Sequence, residues 1–157
     1  IQVVSATKTD TFSASVATDS WVDVTGLSAN MTLSSASNKV LVTVSLGYVH
    51  SSNGYMDVAS AVAVDGTRVS VGDAGASGQL SVTAGGVGYG GVGLNYTGTS
   101  YSYSYLYSPG DTSSHSYVVQ LGNPANSTYS LYLNKNARDG SSDTRTVSTI
   151  TLMEIAG

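Results

Sequence analysis

The sequence predicts an all-β domain, a sandwich or a barrel, on three observations. Most segments alternate Val, Leu or Tyr with Ser and Thr, the two-residue period of a half-buried strand. Those segments are separated by Gly, Asn and Asp turn residues, with 18 Gly and only 2 Pro. No stretch longer than a turn shows helical periodicity with caps. Ten or so strands of this kind imply layered or closed β architecture. A chain of 157 residues suits one domain. It can bury roughly 70% of its unfolded surface without a covalent staple.

In chain order, Ile1–Ser5 and Asp10–Ser15 are short and rich in Thr and Val. Trp21–Val24 alternates and ends at Gly26, and Asn30–Leu33 precedes a turn over Ser34–Asn38. Lys39–Leu46 is the strongest strand, apolar on both faces at its start, which predicts a central place in a sheet covered on both sides. Val58–Val64 runs into Asp65-Gly66, a hairpin pair, and resumes over Thr67–Val71. The alanines of this segment invite a helix, but its β-branched residues and the following Asp-Gly favour a strand. Gln79–Thr83 is read as a strand, and Ala84–Gly93 as a loop or bulged strand. Leu94–Tyr107 is a long strand closed by Pro109-Gly110-Asp111. Ser116–Leu121 and Tyr129–Leu133 alternate, Asn134–Asp143 is a polar loop, and Thr146–Ile155 is a strand with apolar residues on both faces, read as buried on both sides.

Composition excludes several functions. With Cys at 0, disulfides and thiolate metal sites are out. Charged residues are 10% of the chain, against about 25% in an ordinary domain, and the net charge is -4. A nucleic-acid partner needs clustered Lys and Arg, and the six here are scattered apart from a loose group, Lys135, Arg138 and Arg145, near the C-terminal end, so none is expected. No stretch approaches the roughly 20 apolar residues of a membrane span, so no membrane insertion is expected. No secretory leader is visible, and the chain lacks an initiator Met, which fits a piece of a longer protein.

Gln2-Val3-Val4-Ser5, Lys8-Thr9-Asp10-Thr11-Phe12-Ser13, Val22-Asp23-Val24-Thr25-Gly26-Leu27, Ser34 to Val42 and the closing Ser148-Thr149-Ile150-Thr151-Leu152-Met153-Glu154-Ile155 occur in a characteristic order. That order resembles a domain recurrent at the C-terminal ends of tail-fibre and other virion appendage proteins of bacteriophages, notably those of marine and cyanobacterial hosts. The resemblance covers the two ends of the chain and not its middle. It implies a single jelly-roll β-sandwich over residues 1–157, similar in kind to complement and tumour-necrosis-factor domains. It further implies a homotrimer located in the virion, extracellular, with other virion proteins as neighbours. The function expected is passive attachment to a host cell-surface glycan or protein, in which three copies give avidity. It carries no site residue with it.

The candidate sites come from the residues. Tyr101-Ser102-Tyr103-Ser104-Tyr105-Leu106-Tyr107 sends four tyrosines, Tyr101, Tyr103, Tyr105 and Tyr107, to one face of a strand, and Ser100, Ser102, Ser104 and Leu106 to the other. A ladder that wide needs a cover. It is the domain's second sheet, a neighbouring copy at a threefold interface, or a sugar stacked on the rings. Candidate ligand contacts lie in polar loops: Asn53 and Tyr55, Asp73, Asp111 and His115, and Arg138 with Asp139.

Other patterns carry less. The Gly85–Gly93 run lacks the helix and Lys of a phosphate cradle. His50 and His115, with Asp57, Asp73 or Asp111, have no metal-ligand spacing, and Asp139–Asp143 lacks the pattern of a calcium loop, so no metal and no cofactor are expected. No nucleophile elbow is present and carboxylates are sparse, so the chain is not read as an enzyme. The rival readings are a capsid decoration or structural fibre protein without a receptor, and a glycan-binding module of a cellular adhesin.

Overall fold

The computed structural model describes residues 2–52, 58–73, 79–86 and 98–157. Its elements are β1 (Val3–Lys8), β2 (Phe12–Val16), β3 (Ser20–Thr32), β4 (Lys39–Ser51), β5 (Val58–Val64), β6 (Thr67–Val69), β7 (Ala84–Gly86), β8 (Thr99–Tyr107), β9 (Ser114–Asn123), β10 (Tyr129–Leu133) and β11 (Ser148–Ile155). They form two antiparallel sheets packed as a jelly-roll sandwich. No α-helix occurs among the described residues.

The first sheet is organised on β4. Along one edge of β4, Lys39–Ser45 pairs with β11 and Val49–Ser51 with β10, which continue to β1 and β2 respectively. Its other edge carries β8. The second sheet runs β3-β9-β5, and β6 and β7 share the outer edge of β5. Thus β4 is central, as its Val-rich sequence predicts.

Alternation then builds the core. Val40, Val42, Val44 and Leu46 of β4 and Ile150 and Leu152 of β11 point inward and are at most 1% exposed. They meet Val24, Leu27, Val62, Val119 and Leu121 of the second sheet. Burying a side chain of this size contributes roughly 1.5–3 kcal/mol each. The reverse faces of β4 and β11 are open: Thr43 and Ser45 are exposed, and Leu41, Met153 and Ile155 are half-buried. The expectation that both strands are covered on both sides is therefore corrected, because no third layer lies over the first sheet among the described residues.

Three further expectations change. The expected strands Trp21–Val24 and Asn30–Leu33 merge into the single β3, which ends at Thr32, since Gly26 at φ +83° lets it absorb a register shift between Asp23 and Ser28 and continue. Gln79–Thr83 is not a strand, and a short ladder forms instead at Ala84–Gly86. Leu94–Tyr107 is strand from Thr99, with residues 94–97 outside the described set. The Asp65-Gly66 pair does form the tight hairpin turn, with φ of 49° and 83° as a type I′ turn needs.

Candidate functional site

The four-tyrosine face of β8 points between the sheets. Tyr101, Tyr103, Tyr105 and Tyr107 are half-buried and pack on the core, whereas Ser102, Ser104 and Leu106 face outward. The Tyr103 and Ser60 hydroxyls are 2.8 Å apart, and the Tyr101 hydroxyl donates to the Val58 carbonyl at 3.3 Å. Tyr107 meets the buried Tyr117 edge-to-face at 6.1 Å between centroids. Burial pushes the Tyr103 hydroxyl up to about 12, and raises Tyr101, Tyr105 and Tyr117 as well. The cover is the domain's own second sheet. The half-buried rings turn toward that sheet and away from the open side of β8, which favours the second sheet over a neighbouring copy or a sugar as the cover.

Of the loop candidates, the structure brings Asp111 and His115 together and adds a residue that the sequence offered only as a turn. His115 Nδ1 lies 2.6 Å from Asp65 Oδ2, and Nε2 lies 3.0 Å from Asp111 Oδ1. The other Asp65 oxygen accepts from the Ser116 amide at 2.9 Å. Both ring nitrogens face carboxylates, so both act as donors, the state of a protonated imidazole. The Asp65 and Asp111 carboxylates raise the His115 pKa above its ordinary value, and their own are lowered. The carboxylates bracket the ring from opposite sides, so the trio does not converge on one point where a metal would sit. It clasps the β5–β6 hairpin and the β8–β9 loop to the start of β9.

Arg138 and Asp139 lie in an internally paired loop. Arg138 Nε donates to Asp143 Oδ2 at 2.8 Å, Asp139 meets Arg145 at 2.8 Å and Lys135 at 3.4 Å, and Asp143 is held well below the usual carboxylate range by Arg138. Each of the three cations meets one of the two carboxylates. Asp73 is exposed and its carbonyl accepts from Ser81 Oγ at 3.1 Å. Asn53 and Tyr55 fall outside the described residues. Among the described loop candidates, the side-chain contacts join Asp111 to His115, and Arg138 and Asp139 to partners within their own loop region.

Sequence reasoning missed the outer face of the first sheet, because it depends on which strands are neighbours. Register aligns Val3, Met153, Leu41 and Leu106 across β1, β11, β4 and β8. The next rows are Ser5, Thr151, Thr43 and Ser104, then Thr7, Thr149, Ser45 and Ser102. One apolar row thus lies beside two hydroxyl rows, with no charged side chain in any of the three. The ends of the apolar row are open to solvent, Val3 at 57% and Leu106 at 54%. Hydroxyls bond along the rows, as between Ser5 and Thr151 at 3.0 Å and from Ser102 to Ser45 at 3.0 Å. The signal available in sequence was Leu106, an apolar residue on the polar side of β8.

Compared with known proteins, the sequence matches no family model and no curated protein.

Proposed function

We propose that this chain is a homotrimeric attachment domain of a phage tail fibre or related virion appendage, working by binding and avidity without catalysis. The observation that carries the reading is the three-row outer face of β1, β11, β4 and β8 without a charged side chain, bounded by the exposed Lys39 one row beyond Leu41. Interface cores are depleted in charge, and this face has none across its three rows. Its hydroxyls both donate and accept, so they can pair with the same hydroxyls of another copy. The Val3–Met153–Leu41–Leu106 row supplies apolar area at its margin. The jelly-roll sandwich is the fold that the resemblance to appendage domains implies, and the trimer is the stoichiometry it implies. With the tyrosines spent inside the sandwich, this face takes the place of the ladder as the surface between copies.

The test is solution mass by light scattering. The wild type is expected at three times the 16.0 kDa chain mass, and Leu106→Lys at the mass of one chain with the fold retained, because Leu106 is mostly exposed. A wild type that stays monomeric at tens of micromolar overturns the trimer. Adhesion of the labelled domain to bacterial cells then separates an attachment role from a capsid decoration or structural fibre role, which predicts none.

A further inference from the structure

The outer face of the second sheet has a different character. Register places Trp21, Gly122 and Ala59 in one row, Asp23, Gln120 and Ala61 in the next, and Arg68 opposite Ala63 beyond them. Ala59, Ala61 and Ala63 point away from the other sheet yet are at most 2% exposed. On the same face the indole of Trp21 lies on Gly122, where a Cβ would fall 2.9 Å from three of its ring atoms. The guanidinium carbon of Arg68 sits 4.7 Å from the indole centroid. A relay holds it there, Arg68 donating to the Gln120 side-chain oxygen at 3.3 Å and the Gln120 amide donating to Asp23 at 2.7 Å.

Beside these groups opens a cleft of about 480 Å³, lined by Trp21, Thr67, Arg68, Val71, Leu80 and Ser81 among others. Its walls are tied down. The Gly72 amide donates to the Val82 carbonyl at 3.1 Å, and the Thr83 amide to the Ser60 carbonyl at 3.0 Å. The volume falls in the range of small-ligand sites. The cleft's cation is one of two, with the exposed Lys39 at the start of β4 on the other sheet, that meet no carboxylate among the described residues. Arg138, Arg145, Lys8 and Lys135 each meet a carboxylate. Among the described residues, Arg68 contacts only the Gln120 amide and the indole.

We propose that this cleft binds a saccharide bearing a carboxylate. The planar guanidinium matches a carboxylate in two-point fashion and is already oriented by the indole and Gln120. Val71, Leu80 and the indole edge suit the C–H faces of a sugar ring, and Thr67 and Ser81 suit its hydroxyls. This rests on the attachment reading for its biological setting, since it names the class of surface glycan, but its chemistry is tested independently of it.

Trp21 is the only tryptophan, so its emission reports this cleft. The full chain is titrated with tri-galacturonate, with the methyl ester of that trisaccharide, and with tri-glutamate as an anion that is not a sugar. Tri-galacturonate is expected to change the emission saturably. The methyl ester, and tri-galacturonate on Arg68→Gln, are expected to bind at least tenfold more weakly, with Arg68→Lys between. Arg68 is exposed and its replacement leaves the core intact, which the melting temperature verifies. Equal binding of tri-glutamate, or wild-type affinity in Arg68→Gln, overturns the proposal. So does the absence of a saturable change with tri-galacturonate, sialyllactose and a glucuronate disaccharide together. Adhesion distinguishes the two readings: cells held equally by wild type and Arg68→Gln leave attachment standing and remove the cleft, whereas sugar binding without adhesion does the reverse.

Discussion

Tyr103 and Ser60 join the two sheets through a hydrogen bond of 2.8 Å across the sandwich interior. Ser60 is fully buried on β5, between two strands of its own sheet. Its hydroxyl is a polar atom placed in the core for one partner. Ser60→Ala leaves the Tyr103 hydroxyl without that partner, and an orphaned buried hydroxyl costs about 1–3 kcal/mol. For a chain of this length that lowers the melting temperature by about 2–4 °C per kcal/mol. The double variant with Tyr103→Phe is expected to lose less than the sum of the two single losses, since each single change strands the other group. Urea unfolding of the four proteins completes the cycle, and strict additivity would show that the bond does not couple the sheets.

Tyr105 and Tyr117 give the opposite prediction. Their hydroxyls are buried with no hydrogen-bond partner among the described residues. Such a group destabilises the folded state, so deleting it relieves a penalty. Tyr105→Phe and Tyr117→Phe are expected to be neutral or to stabilise by up to about 1 kcal/mol, while Tyr103→Phe destabilises. The pattern separates rings kept for their bulk from a ring kept for its hydroxyl. A loss above about 1 kcal/mol in Tyr105→Phe would reveal a partner for that oxygen.

The alternation of Val40, Val42 and Val44, the Asp65-Gly66 turn and the Tyr101–Tyr107 period were legible in the sequence because each is a local pattern with a local cause. The side to which the tyrosines point was not legible. Alternation divides β8 into two faces but leaves open which one meets the other sheet, and that depends on β8 pairing with β4, more than fifty residues away in the chain. The three charge-free rows of the outer face were hidden for the same reason, being assembled from four strands that are not consecutive. Gly26 read as a stop because it follows an alternating run, yet one residue at positive φ bends a strand without ending it. The partnership of Asp65 with His115 was hidden behind the turn that Asp65 also makes.

Glu154 illustrates a polar residue that alternation placed inside. It is 1% exposed, and its carboxylate accepts from the Ser34 amide at 2.7 Å, the Ser34 hydroxyl at 2.6 Å and the Asn38 side chain at 2.7 Å. Hydrogen bonds from Ser34 and then Asn38 hold its pKa down at about 2. A carboxyl whose folded value is depressed contributes stability above its unfolded value, about 4.3, and loses it as pH falls toward the folded value. Stability is thus expected to decline between about pH 4.3 and 2. Glu154→Gln should flatten that part of the profile and be less stable at neutral pH, because the neutral amide accepts more weakly from the Ser34–Asn38 turn. Denaturant unfolding at several pH values reads both effects, and an unchanged acid limb in the variant would assign the decline to other carboxyls.

The His115 clasp sets the opposite limit. Hydrogen bonds to Asp65, and then to Asp111, raise its folded pKa above 6.5. A group with a raised folded value contributes fully below its unfolded value and loses that contribution as pH rises through the folded one. Asp65 and Asp111 are lowered and lose theirs on the acid side. The clasp is therefore complete between about pH 4 and 6.5 and loosens on both sides. Asp65 bonds the ring at 2.6 Å and also takes the Ser116 amide, whereas Asp111 bonds the ring at 3.0 Å and takes the Ser113 amide within its own loop. Asp65→Asn is expected to lower the His115 pKa more than Asp111→Asn, and to loosen the hairpin turn as well. Two-dimensional NMR titration of the imidazole measures all three values. A wild-type His115 titrating below 6.5 would mean that the carboxylates do not hold the ring in its charged form, and equal shifts in the two variants would mean that they hold it alike.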